Sequence, residues 1–315
     1  MKIVVYTEMP GSEVLDNLKA DFPQCTAVYP QNQAEFEKEI VDADIYAGRF
    51  ITREVLATAK KLKYLNSFMA GVDKLPLKEI DERGIILTTG RGIHPVHMAE
   101  YAIAMMVLDA RNLDKVLWNQ KERKWALLPQ DQISGKRLGI LGLGAIGQEL
   151  AQKANAMGLE VVGVKRRVEP VEGVKEVYAL NELEKVFSTC DYIVNLLALT
   201  IETQGIINKQ YFDMMKPTAC MINMGRSGTT SEDDLYEALK NKVFRRYIVD
   251  VFDTEPLPED NKLWELDNIV ITPHICGHNV MYMQKGYEIL RNNLKAFLDG
   301  RYDDMQNRFN HEQGY

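Results

Sequence analysis

Residues 137–164 constrain the fold more than any other stretch of the chain. They read RLGILGLGAIGQELAQKANAMGLEVVGV. An apolar run leads into Gly142-Leu143-Gly144-Ala145-Ile146-Gly147, a helical pattern follows, and a second apolar run closes the segment. Ile146, Leu150, Ala154 and Met157 keep helical spacing on one face, and Gly158 is placed to end the helix with a left-handed residue. A GxGxxG alone only punctuates a loop. Between a strand and a helix it predicts a dinucleotide site. Gly142 permits the tight turn, Gly144 lets backbone approach a pyrophosphate, and Gly147 lets helix and strand pack closely. The amides that open the helix, at Ala145 and Ile146, favour an anion together with the helix dipole. The competing reading is a glycine-rich turn with no ligand.

The same alternation runs through the chain. KIVVYT, ADIYAG, LKYLNSF and GIILTT read as strands, with helices SEVLDNLKADF, QAEFEKEIVD and REVLATAKK between them. A long helical pattern, HPVHMAEYAIAMMVLDARNLDKVLW, covers 94–118, with Pro95 suited to its first turn. A second series follows: RLGILGLG, LEVVGV, CDYIVNLL, TACMINMG, RRYIVDVF and NIVITPHI. Two sets of parallel βαβ units predict an α/β chain of two doubly wound, Rossmann-like parallel-sheet domains. A chain of 315 residues is long for one core and comfortable for two. The closing helix, YEILRNNLKAFLDG, is expected to return to the first domain. The division is then 1–100 plus 284–315 for a substrate-binding domain and 101–283 for a dinucleotide-binding domain.

The second strand of the fingerprint ends in VVGVKRR. Lys165, eighteen residues past Gly147, stands where an acidic residue would accept the ribose 2′-hydroxyl of NAD and repel a 2′-phosphate. Lys165, Arg166 and Arg167 reverse that preference. A charge-assisted hydrogen bond contributes roughly 1.5–3 kcal/mol, so two of them favour NADP over NAD by ~10²-fold after solvent discounts. NADPH is therefore the expected cofactor, with NAD possible. The alternative is a solvated cationic turn that touches nothing.

Ligands of open parallel sheets bind beyond the carboxyl ends of the strands. Three later strands end in INMGR, VDVFDTEP and ITPH, which put Arg226, Glu255 and His274 at those ends. An Arg grips a carboxylate and a neighbouring carbonyl oxygen. A His gives or takes the proton that accompanies hydride transfer. A carboxylate on the other ring nitrogen fixes the tautomer. Those roles suit reduction of a 2-oxo acid to a 2-hydroxy acid.

At this point the sequence resembles a known family. GILGLGAIGQ, LALTIETQGIIN, MINMGRSG, DVFDTEPLPEDNKLWELDNIVITPHICG, AGVD and a final GY follow the motifs of the D-isomer-specific 2-hydroxyacid dehydrogenases, in order and over nearly the whole chain. The resemblance implies that Arg226 binds the substrate carboxylate and keto oxygen, that His274 is the general acid and that Glu255 is its partner. Backbone at Ala70 and Gly71 would hold the carboxylate, and Asp250 would contact the nicotinamide carboxamide. Met98 would pack near the nicotinamide or simply in the core. A homodimer and domain closure are also implied. Ser227 stands where glycine usually follows the Arg, and Ala198 where proline is usual.

The remaining residues set limits. Net charge is −7, with no long basic run, which argues against nucleic acid and anionic membranes as partners. The start, MKIVVYTEMP, reads as a strand, not a signal peptide. The 4 cysteines, Cys25, Cys190, Cys220 and Cys276, form no CxxC pair, so no metal site is expected and a cytoplasmic location is the default. Cys220 and Cys276 are expected to be buried. His94 and His97 read as hydrogen-bonding residues at a helix start, His278 as a surface or supporting residue, and Trp125 as a packing or partner-contacting residue. Phe68 and Met69 are expected to make an apolar wall for the substrate. Glyoxylate, hydroxypyruvate and pyruvate-like acids all suit such a site. The rival readings are an NAD-using phosphoglycerate dehydrogenase, disfavoured by the lack of room for a regulatory domain, and a non-catalytic dinucleotide sensor.

Overall fold

The computed structural model describes residues 1–7, 12–72 and 74–310. Asp73 of the AGVD stretch and the terminal Gly314-Tyr315 pair lie outside the described residues. The chain begins β1 (Lys2–Tyr6), α1 (Ser12–Asp21), β2 (Thr26–Val28), α2 (Gln33–Glu39), β3 (Ile45–Gly48), α3 (Arg53–Thr58), β4 (Tyr64–Ser67), α4 (Leu77–Glu82) and β5 (Ile86–Thr88). It continues with α5 (Pro95–Ala110), α6 (Leu113–Lys121), β6 (Arg137–Leu141), α7 (Ala145–Ala156), β7 (Glu160–Val164), β8 (Glu176–Tyr178), α8 (Leu183–Phe187) and β9 (Tyr192–Asn195). The last elements are α9 (Lys209–Phe212), β10 (Cys220–Asn223), α10 (Glu232–Lys240), β11 (Arg246–Val249), β12 (Ile269–Ile271) and α11 (Tyr282–Leu298). Two compact units result: Met1–Ile93 with Asn279–Tyr315, and His94–His278. The divisions fall a few residues before 100 and 283, and α5, which packs on α7, lies wholly in the second unit.

The first unit holds a parallel sheet in the order β2-β1-β3-β4-β5. Successive strand residues point to opposite faces. Ile3, Val5 and Ile45 pack with Leu18, Leu290 and Leu294 of α1 and α11, while Val4, Tyr46 and Leu65 pack with Phe36, Leu56 and Ile80 on the other side. Helix α11 is tied to α1 by polar contacts as well, with Tyr287 donating to Asp21 at 2.6 Å and Arg291 at 2.9 Å from the same carboxylate.

The second unit holds a parallel sheet in the order β12-β11-β10-β9-β6-β7-β8. Leu138, Ile140 and Val161 pack against α5 and α7, whereas Leu141, Val162 and Ile193 pack against Phe187, Phe212 and Leu239. Both faces are covered, which is why these strands read as unbroken apolar runs and not as alternating ones. Strand β6 has β7 on one side and β9 on the other, so the winding reverses there. A crevice at such a reversal is where ligands of this architecture bind.

Two features depart from the sequence reading. The pattern over 94–118 is not one helix: it breaks between α5 and α6 at Asn112, whose φ of +46° is left-handed and whose side chain donates to Pro129 O at 2.8 Å. Strands β2 and β8, at sheet edges, were not among the strands read from the sequence; each is 3 residues long and opens on an exposed polar residue. Among the described residues, no helix is long and apolar enough to cross a membrane.

Candidate active site

The fingerprint glycines each meet a different demand. Gly142 has φ +109°, and a Cβ there would lie 3.0 Å from Leu196 O. A Cβ on Gly147 would lie 2.3 Å from Gly142 O, closer than real Cβ atoms come to backbone. A Cβ on Gly144 would project into open space, directly before the 12-residue helix α7. Gly144 therefore leaves open space directly before the α7 N-terminus, where Ala145 is exposed, which fits a dinucleotide pyrophosphate. Gly158 closes the helix with φ +82°.

The three cations after β7 do not act alike. Lys165 is half-buried and pairs with the Glu169 carboxylate. Arg166 is exposed and lies 3.9 Å from Glu202, on the loop after β9. Arg167 is exposed and forms no ion pair among the described residues.

At the far end of the sheet, His274 Nδ1 lies 2.8 Å from Glu255 Oε2 and 3.0 Å from Oε1. Glu255 Oε1 also accepts the Phe252 amide at 3.0 Å, so the carboxylate is aimed by its own loop. His274 itself has φ +53°, a conformation non-glycine residues rarely adopt. Asp250, 1 % exposed at the end of β11, holds the turn that imposes this. Its Oδ1 accepts the Thr272 hydroxyl at 2.5 Å and the Ile275 amide at 2.9 Å, and its Oδ2 accepts the Cys276 amide at 2.9 Å. The Cys276 thiol, 5 % exposed, is pushed far up by burial and by the Asp250 charge beside it. Cys220 is fully buried as well.

Arg226 follows β10, the neighbour of β11. A buried amide network shapes its loop: Asn195 Nδ2 donates to Asn223 Oδ1 at 3.0 Å and to Thr229 Oγ1 at 2.9 Å. Asn223 Oδ1 in turn accepts the Gly225 amide at 3.2 Å, and Thr229 donates to Arg226 O at 2.7 Å. Ser227 donates to Asp253 at 2.5 Å, which links the Arg226 loop to the loop of Glu255. The sequence reading missed Asn195, Asn223 and Thr229. Their only signal was an Asn at the end of each of two apolar runs.

Ala70 and Gly71 lie in the first unit, just after β4, and are half-buried. Phe68 makes no pocket wall. It is 0 % exposed, in the core with Tyr282 and Leu290, and Tyr282 donates to its carbonyl at 2.7 Å. Met98 is core too, packed among Ala102, Leu150 and Ala154. His94, the N-cap of α5, makes no side-chain cap bond, and His97 Nε2 lies 3.0 Å from Gly277 O, 180 residues away in sequence. Trp125 is 100 % exposed and packs on none of the described residues.

Residues 103–276 match the D-isomer specific 2-hydroxyacid dehydrogenase, NAD binding domain. The chain is 31 % identical to a D-isomer specific 2-hydroxyacid dehydrogenase family protein from Aeromonas salmonicida, with a TM-score of 0.89 over 98 % of each chain. It is 25 % identical to the NADPH-dependent glyoxylate/hydroxypyruvate reductase of Sinorhizobium meliloti, solved with NADP and sulfate, with a TM-score of 0.83 over 100 % of this chain and 99 % of that one. It is 34 % identical over 275 residues to the D-3-phosphoglycerate dehydrogenase of Methanocaldococcus jannaschii; the match takes in 84 % of this chain and spans 52 % of that protein's length. The fingerprint, the strand-end residues and the doubly wound sheets thus converge with these similarities: the chain belongs to the D-isomer-specific 2-hydroxyacid dehydrogenase family.

Proposed function

We propose that the protein is an NADPH-preferring reductase of small 2-oxo acids, of the glyoxylate and hydroxypyruvate class, yielding D-2-hydroxy acids. The observation that carries this reading is the His274–Glu255 pair, at 2.8 Å, at the carboxyl edge of the sheet that also carries the glycine fingerprint. Gly142, Gly144, Ala145, Ile146 and Gly147 would hold the pyrophosphate, and Asp250 lies at the strand end where a nicotinamide carboxamide is expected. The dinucleotide, when bound, supplies the hydride. Arg226 pairs with the substrate carboxylate and polarises the adjacent carbonyl. Ala70 and Gly71 offer backbone amides to the same carboxylate. His274, its Nδ1 held by Glu255, gives the Nε2 proton to the carbonyl oxygen as the hydride reaches the carbonyl carbon. Glu255 offsets the ring's positive charge until that proton has left.

Arg166 and Arg167, with Lys165, are proposed to meet the ribose 2′-phosphate. Lys165 and Arg166 already have carboxylate neighbours, so each phosphate contact replaces an existing pair. That lowers the expected preference from ~10² towards about tenfold. We further propose a homodimer. Helix α6 and the segment after it expose Leu117, Trp118, Trp125 and Leu127, each at 58 % or more.

The test is initial-rate reduction of glyoxylate, hydroxypyruvate, pyruvate, phenylpyruvate and 2-oxoisocaproate with NADPH and with NADH. Turnover should favour NADPH by about tenfold or more, and R166E with R167E should abolish the preference. His274→Asn should cost roughly 10²–10⁴-fold in kcat. An NADH preference would remove the phosphate role and keep the reductase. Dinucleotide binding without turnover on any acid would point to a sensor.

A further inference from the structure

The turn that carries His274 is gripped from outside its own strand. Helix α5 presents His94, His97 and Tyr101, at spacings that put all three on one face. His97 Nε2 lies 3.0 Å from Gly277 O and 3.3 Å from His94 Nδ1. With its proton on Nε2, His97 donates to that carbonyl. The His94 ring packs on Gly277 as well, at 3.6 Å from where a Cβ would stand. One turn further along, Tyr101 Oη lies 2.6 Å from Thr272 Oγ1. The Thr272 hydroxyl then donates to Asp250, so Tyr101 donates to Thr272 and completes a relay. Burial pushes the Tyr101 phenol up, which keeps that donor protonated.

The helix thus holds Thr272 at the start of the turn and Gly277 at its end, while Asp250 holds the two amides between. His274 sits inside this bracket with φ +53°. A left-handed conformation at a non-glycine residue persists only where the surroundings over-determine it, and such residues gather at functional sites.

We propose that His97 and Tyr101 are positioning residues for proton transfer: from one face of α5 they clamp both ends of the 272–277 turn and hold His274 where its Nδ1 meets Glu255. This rests on the reading of His274 as the proton donor. Neither residue is proposed to touch the reacting atoms.

The experiment compares Tyr101→Phe, His97→Leu, the double variant and His97→Gln in the full chain. Active-site concentration comes from NADPH titration by nicotinamide fluorescence, so misfolded protein does not count. A side chain that lets the ring drift by about 1 Å can cost up to ~10²-fold. The double variant should lose about tenfold in kcat per bound NADPH and show a larger solvent deuterium isotope effect on kcat, with an NADPH Kd within about twofold of wild type. His97→Gln, which keeps a donor for Gly277 O, should restore most of the loss caused by His97→Leu. Wild-type kcat and isotope effect in the double variant, with His274→Asn inactive, would overturn the clamp alone. An active His274→Asn would overturn the proton-donor reading and the clamp with it.

Discussion

His94 carries a charge penalty that its neighbours define. It is 9 % exposed at the start of α5. Burial first, then His97 on the same helix and the charges of Arg226 and His278, push its pKa down to about 4, against a weaker upward pull from the Gly277 carbonyl. The unfolded chain takes up this proton near 6.5, the folded chain only near 4. Between those values the unfolded state binds more protons, so stability falls as pH falls, by about 3 kcal/mol over the window. His94→Gln should lose that slope. Melting curves of both proteins from pH 7 to 4.5 test this, and identical pH dependence would sink it. At this scale the sequence singled out Arg226, Glu255 and His274, the residues proposed for catalysis, because each follows a recognisable strand. It did not disclose what holds them. The partner of His97 lies 180 residues away, and no local pattern announces such a contact. Phe68 misled for a related reason: an aromatic beside a strand end looks the same whether it faces a ligand or a core.

At the scale of elements, the fingerprint was legible because strand, turn and helix each impose their own spacing. The glycines make separable predictions. Gly147→Ala places a methyl 2.3 Å from Gly142 O, so the α7 N-terminus must shift. We expect a loss of about 1–3 kcal/mol in stability and at least about tenfold in NADPH affinity. Gly144→Ala adds a methyl in open space and should weaken NADPH binding without lowering the melting temperature. Calorimetric melting alongside fluorescence titration separates the two, and equal melting temperatures for both would contradict the packing argument. The break at Asn112 was not legible. Apolar residues keep helical spacing across it, and only the left-handed backbone and the bond to Pro129 reveal the stop. The edge strands β2 and β8 were missed: each is short and opens on an exposed polar residue, Thr26 and Glu176, so no buried apolar run marks its start.

At the scale of the whole molecule, the sequence foretold two doubly wound sheets, since covered strands leave long apolar runs at regular intervals. Of the apolar surface that α6 and its following segment expose it flagged only Trp125, and not Trp118 or Leu117, which are 61 % and 58 % exposed. A monomer gains nothing from such a patch, and association would remove it from water. Sedimentation should find twice the chain mass of 36.0 kDa, and L117E with W118E should return it to that mass. A wild-type monomer would refute the assignment. The second unit also begins and ends in one place: the His94 ring rests on Gly277, next to the unit's last residue. Residues 94–278 are therefore a cassette whose two seams lie side by side. A recombination event, natural or made at the bench, could exchange the nucleotide-handling half between relatives as a single piece and leave the rest of the gene in frame around it.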